Sequence, residues 1–102
     1  MKREVVFRPS VLSDLKDLHD FIEIDSPVAA ARYVEQIEEF CMSLSEFSER
    51  GTTRNDLGPG MRTIGFRRRI MIAFVVGESF VEIARILYGG RDLGQAMDED
   101  FL

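Results

Sequence analysis

A chain of 102 residues, 45% apolar and 30% charged, has the size and composition of one soluble globular domain, with apolar surface for one core and none left for a second. No apolar run approaches the roughly 18 residues of a membrane span, and Met1-Lys2-Arg3-Glu4 leads into strand-like residues instead of a signal-peptide core. With one cysteine, Cys41, and one histidine, His19, neither an internal disulfide nor a metal ligand set is expected; the reading is a cytoplasmic protein without metal or cofactor.

The net charge of −5 conceals an uneven distribution. Residues 1–49 hold eleven acids against five bases, residues 50–91 three against eight, and residues 92–102 four acids and no base. The middle segment is therefore the part suited to phosphate or an acidic partner, whereas the overall acidity argues against a protein that coats nucleic acid. Solvated strand edges are the plain alternative.

In chain order, residues 4–8 carry Val5 and Phe7 at a period of two, and Pro9 ends this first strand. Ser10 then offers an N-cap to a helix whose stripe is Val11, Leu15, Leu18 and Ile22, with Asp14, Asp17 and Asp20 assigned to the opposite face. Ser26-Pro27 is a second helix start, serine as cap and proline where its missing amide costs nothing. Its stripe is Ala30, Val34, Ile37, Cys41 and Leu44, widened by Tyr33, Phe40 and Phe47. Only residues 23–26 separate the two patterns, so an antiparallel helix hairpin is predicted. Residues 48–60, with Gly51, Gly58, Pro59 and Gly60, read as a loop.

Beyond that loop the period becomes extended: Arg62, Ile64 and Phe66 alternate, residues 70–76 are an unbroken apolar run, and residues 77–79 form a short turn into a strand over 80–88. The predicted architecture is α+β, with an N-terminal strand, an antiparallel two-helix hairpin and three antiparallel strands in one curved, mostly antiparallel sheet. The helices cover one face, and the strand arginines are expected to gather on the sheet. Residues 1–93 form the single domain and residues 94–102 an acidic tail, read as mobile.

Residues 81–93, Val-Glu-Ile-Ala-Arg-Ile-Leu-Tyr-Gly-Gly-Arg-Asp-Leu, resemble the last strand and exit of the RelE/ParE toxin superfamily, ParE-like branch. Arg85, Gly89, Arg91 and Asp92 fall on its pattern, and the Pro9-Ser10 helix start, the helix hairpin, Arg50-Gly51, Arg62 and the apolar strand over 70–76 follow its layout from about Val5 to Leu93. Tyr88 stands where many members have histidine, and Gly90 where a further arginine is common. The resemblance implies the toxin of a type II toxin–antitoxin system, inhibiting DNA gyrase by binding and silenced by a cognate antitoxin, expected to be of ribbon-helix-helix type. A ribosome-dependent mRNA endonuclease is the alternative, and a non-toxic binding module a third reading; no membrane is expected as partner, and direct contact with nucleic acid stays open.

Cleavage of RNA by its own 2′-hydroxyl needs a base, an acid and cations around the phosphate. Arg62, Arg85 and Tyr88 are the candidates for that chemistry, with Glu82 a further proton-transfer group. No lysine follows Lys16, and His19 lies on the first helix, where it reads as a core-edge residue. Binding to a target needs no such constellation, and Arg67, Arg68, Arg69, Arg85 and Arg91 are the candidates for it. Arg85, between Ile83 and Leu87 in an apolar strand, must find a carboxylate, a carbonyl or a ligand, with Asp92 or a helix-end carbonyl as structural possibilities. Tyr33, Phe40, Met42 and Phe47 exceed what one inward stripe requires and are the candidates for antitoxin binding, against the alternative that all are buried. Cys41, mid-helix on an apolar face, is not expected to act as a nucleophile.

Overall fold

The computed structural model describes residues 2–67 and 69–88. Strand β1 (Glu4–Phe7) is followed by helices α1 (Pro9–Glu23) and α2 (Pro27–Ser43), then β2 (Thr52–Thr53), a 3-10 turn (Asn55–Leu57), and strands β3 (Met61–Phe66), β4 (Ile70–Val76) and β5 (Phe80–Tyr88). The α+β architecture is the expected one. Two features of the sheet differ from the sequence reading. The stretch read as loop contains β2, pairing Thr52 with Thr63 and Thr53 with Arg62. The sheet is mixed, in the order β1-β5-β4-β3-β2, because the helix hairpin carries the chain back so that β1 lies parallel to β5 (Glu4 beside Phe80, Phe7 beside Ile83), while the short β3–β4 and β4–β5 turns keep those pairs antiparallel.

The helices and the sheet enclose one main core. Val11, Leu15 and Leu18 of α1 and Ile37, Cys41 and Leu44 at the end of α2 meet Ile70, Ile72, Phe74, Val81, Ile83 and Ile86, all buried. On the far face Met61, Ala73 and Ala84 form a smaller cluster, packed by Leu57 of the 3-10 turn and by Val75. Ser26 caps α2 as predicted, accepting from the Ala29 amide at 3.2 Å. The start of α1 differs: Arg8 holds the cap position and Pro9 opens the helix, so Ser10 is already helical and its hydroxyl donates to the Ala84 carbonyl at 3.0 Å. Gly51 has φ +78°, and a β-carbon there would collide with the Thr63 carbonyl oxygen, so β2 can lie against β3 only with glycine at this turn.

Strand β1 pairs with β5 only as far as Ile83. Beyond it α1 takes over the exposed edge: the Arg8 amide donates to Ile83 O (3.0 Å), Ser10 to Ala84 O (3.0 Å), and the Ile86 amide to Asp14 Oδ2 (2.9 Å). At the same place β5 is bulged, since Ala73 pairs with Arg85 and Phe74 with Ile83, leaving Ala84 as the extra residue. The bulge brings Arg85 to α1, where Nε and Nη2 each donate to the Asp14 carboxylate at 2.8 Å. Both residues are 5% exposed. The assignment of Asp14 to the solvent face is thus corrected; it lies three residues after Val11 and four before Leu18, on the apolar stripe itself.

Removing one partner of such a pair leaves an uncompensated buried charge, at a cost of about 3–5 kcal/mol. Arg85→Ala and Asp14→Ala should each lower the unfolding free energy by that order in urea denaturation; a change under about 1 kcal/mol in either would show that the pair does not hold the fold.

Candidate functional site

The candidate surface is the tip of the β3–β4 hairpin. Phe66 and Ile70 close the ladder, and Arg67 follows with φ 51°, its carbonyl accepting the Arg69 amide at 2.7 Å. A side chain in the left-handed region costs on the order of 1 kcal/mol. Part of that cost is offset where the Arg67 guanidinium lies over two aromatic rings, 5.8 Å from the Tyr33 centroid and 5.4 Å from that of Phe66. Arg69 borders a cleft of about 150 Å³ with Phe21, Tyr33 and Tyr88. A neighbouring cleft of about 180 Å³ shares Phe21 and Tyr88 and adds Asp14 and Asp17. Arg67 and Arg69 are exposed, so the tip presents two cations beside an aromatic wall. Arg68 of the same turn and Arg91 lie outside the described residues, as do Gly89, Gly90, Asp92 and the tail over 94–102.

The residues that ribonuclease chemistry would need do not converge. Arg62 pairs with Phe74 and Tyr88 with Ile70, positions four residues apart along β4, or roughly 13 Å. Each is also engaged where it stands. Arg62 donates through Nε to the Arg50 carbonyl at 3.0 Å, and Tyr88 packs on Phe21 with ring centroids 4.9 Å apart. Glu82 receives Arg8 Nη2 at 2.9 Å. Arg85 corrects the sequence reading most sharply: buried and held by Asp14, its guanidinium offers no surface to a target. Among the described residues its carboxylate partner is Asp14, and Asp92 lies outside them. Nor do the strand arginines share one face of the sheet: Arg62 runs to the Arg50 loop, Arg67 and Arg69 stand at the hairpin tip, and Arg85 enters the interior.

The three aromatic residues and the methionine assigned to antitoxin binding on α2 and its exit divide into two groups. Tyr33 and Phe40 are half-buried at the core edge, Tyr33 beneath Arg67 and Phe40 against Phe66 at 5.0 Å and beneath Arg50 at 5.5 Å. Met42 and Phe47 are exposed, at 51% and 84%. His19 stands on α1, its Nδ1 3.2 Å from a Glu23 carboxylate oxygen. Asp14 is the residue the sequence reading missed, and its place on the Val11–Leu18 stripe was the available signal.

Cys41 is fully buried. Burial first, and the nearby Glu38 charge second, push its thiol up to about 12. At pH 8 the thiolate fraction is then roughly one in ten thousand, so the native protein should resist iodoacetamide and react only on unfolding. Labelling at the same rate with and without urea would contradict this burial. Because the folded value lies above the unfolded value near 9, this group costs no stability below about pH 9 and progressively more as pH rises above it.

The described residues contain no helix long and apolar enough to cross a membrane. No curated protein matches the sequence. Among solved structures, a chain titled "Chromosomal ParDE TA system from P. aeruginosa" superposes with a TM-score of 0.72 at 24% identity, covering 85% of this chain and 96% of that one; at this identity the likeness speaks for the fold. A family model described as the ParE toxin of the type II toxin–antitoxin system parDE matches residues 5–93, which is most of the sequence. The chain therefore belongs to the ParE toxin family of type II toxin–antitoxin systems.

Proposed function

We propose that this ParE-family toxin inhibits DNA gyrase by binding, performs no bond chemistry of its own, and is neutralised by a cognate antitoxin. The observation that carries the reading is the β3–β4 tip, where Arg67 is stacked on Tyr33 and Phe66 in a left-handed turn beside exposed Arg69. A charged, aromatic-backed protrusion suits a protein surface or a protein–DNA complex, since charge complementarity guides docking without catalytic groups. The engagement of Arg62, Arg85, Glu82 and Tyr88 in separate contacts weighs against the alternative, ribosome-dependent cleavage of message. Exposed Met42 and Phe47 beyond the core stripe support an antitoxin that covers the end of α2. Its ribbon-helix-helix type remains part of the proposal, as does a cytoplasmic location.

Purified toxin should cause gyrase-dependent accumulation of cleaved plasmid. The double substitution Arg67→Ala with Arg69→Ala, which removes two exposed side chains and no buried ion pair, should raise the concentration needed by about tenfold or more, as expected when charge-assisted contacts are lost. Undiminished potency would exclude the tip as the contact. Ribosome-dependent message cleavage would reassign the target, and absence of both activities together with normal growth on expression would mark a non-toxic member.

A further inference from the structure

A second cationic site lies at the other end of the sheet, where the exit of α2 meets the start of β1. A cleft of about 400 Å³ is lined by Arg3, Phe47, Ser48, Glu49 and Arg50. Its two guanidinium groups are held by the fold. Arg3 is fixed at both ends, its amide on the Ser45 carbonyl at 2.8 Å and its Nε on the Gly77 carbonyl at 2.9 Å. Arg50 lies over the Phe40 ring at 5.5 Å, bonds Ser43 Oγ through Nη2 at 2.9 Å, and has its main chain tied by Arg62. Among the described residues the Arg50 Nε, which is buried, has no hydrogen-bond partner. That unpaired donor leaves the guanidinium short of one acceptor, a cost that turning toward an entering carboxylate would relieve. On the rim stands Phe47, with φ 53°, a conformation that costs a side-chain-bearing residue on the order of 1–2 kcal/mol and here holds an aromatic ring 84% exposed.

We propose that this cleft binds an acidic peptide segment: one carboxylate enters between Arg3 and Arg50, and an adjoining apolar side chain lies on Phe47. The antitoxin is the partner that would carry such a segment, and to that extent the proposal rests on the toxin reading. A peptide carboxylate suits the cleft better than a nucleic-acid backbone. Two guanidinium groups balance one such anion beside Glu49, while a run of phosphates would also meet Glu46 and Glu49 in a chain of net charge −5. The exposed ring matches a neighbouring apolar side chain, so the site would read an acid and a hydrophobe together.

The test uses the whole chain and blocked dipeptides, so that its failure leaves the toxin assignment standing. Acetyl-Asp-Phe-amide is titrated into isotopically labelled toxin while the arginine Nε–Hε and Phe47 resonances are followed. The expected result is a saturable shift at Arg3, Arg50 and Phe47, with a dissociation constant on the order of a millimolar. Acetyl-Asn-Phe-amide should bind about tenfold more weakly, having lost the charge-assisted contacts. Arg3→Gln and Phe47→Ala, both at the rim of the fold and checked for an unchanged amide spectrum, should each weaken the aspartyl peptide several-fold. Equal binding of the two peptides, no saturable shift, or tighter binding of inorganic phosphate or thymidine monophosphate at the same resonances would overturn the proposal.

Discussion

The Asp14 carboxylate is the point on which the arrangement of this molecule depends. It accepts two guanidinium hydrogen bonds from Arg85 and the Ile86 amide, and it does so where β5 has lost its neighbour β1 and carries a bulge. An open strand edge inside a small domain would leave backbone donors and acceptors unpaired. Here α1 supplies them in sequence, with Arg8 and Ser10 bonding the carbonyls of Ile83 and Ala84 and Asp14 the amide of Ile86. The helix is thereby registered along the strand, and Phe21, about two helical turns beyond Asp14 on the same face, is placed against Tyr88. Buried ion pairs are often no better than hydrophobic packing for net stability, but they are intolerant of a missing partner. That intolerance sets one relative position of helix and sheet, and with it the aromatic wall beside the hairpin tip.

The arginines that give the middle of the chain its positive charge are consequently divided among different tasks. Arg85 is internal structure, Arg62 ties the loop after α2 to β3, and Arg67 and Arg69 are displayed. Charge count alone does not separate these roles. The ParE family assignment stands on the match over residues 5–93 and does not require a shared basic face. The proposed mode of action draws on a smaller and more specific feature, a strained turn stacked on two rings.

Much of the fold could be read from periodicity. The two helices, the Ser26-Pro27 start, the apolar central strand and the turn over residues 77–79 follow from local rules, because each is dictated by residues within a few positions of one another. The parallel pairing of β1 with β5 could not be read, since it depends on how the helix hairpin returns the chain across some seventy-five residues of separation (Glu4 beside Phe80). The two-residue strand β2 was hidden by turn-forming neighbours. Of the site residues, the exposed arginines of the hairpin read as turn charges from sequence, and the need of Arg85 for a partner follows from its apolar surroundings, although Asp14 is not legible there as that partner. For Asp14, position outweighs residue type: an aspartate at i+3 on an apolar stripe faces inward, and its burial is tolerable only because Arg85 meets it. The cleft of Arg3 and Arg50 left no sequence signal, as its two cations come from segments brought together by the sheet.

On the proposed function, Arg85 acts through the fold and not on the target. The most direct measurement is plasmid cleavage by gyrase, together with growth arrest, for the neutral double variant Asp14→Asn with Arg85→Gln, in which an amide can still accept from Ile86 and pair with its neighbour. The folded variant should keep activity within a few-fold of the parent protein. A folded variant without activity would contradict this role and return the Arg85 guanidinium to the functional surface.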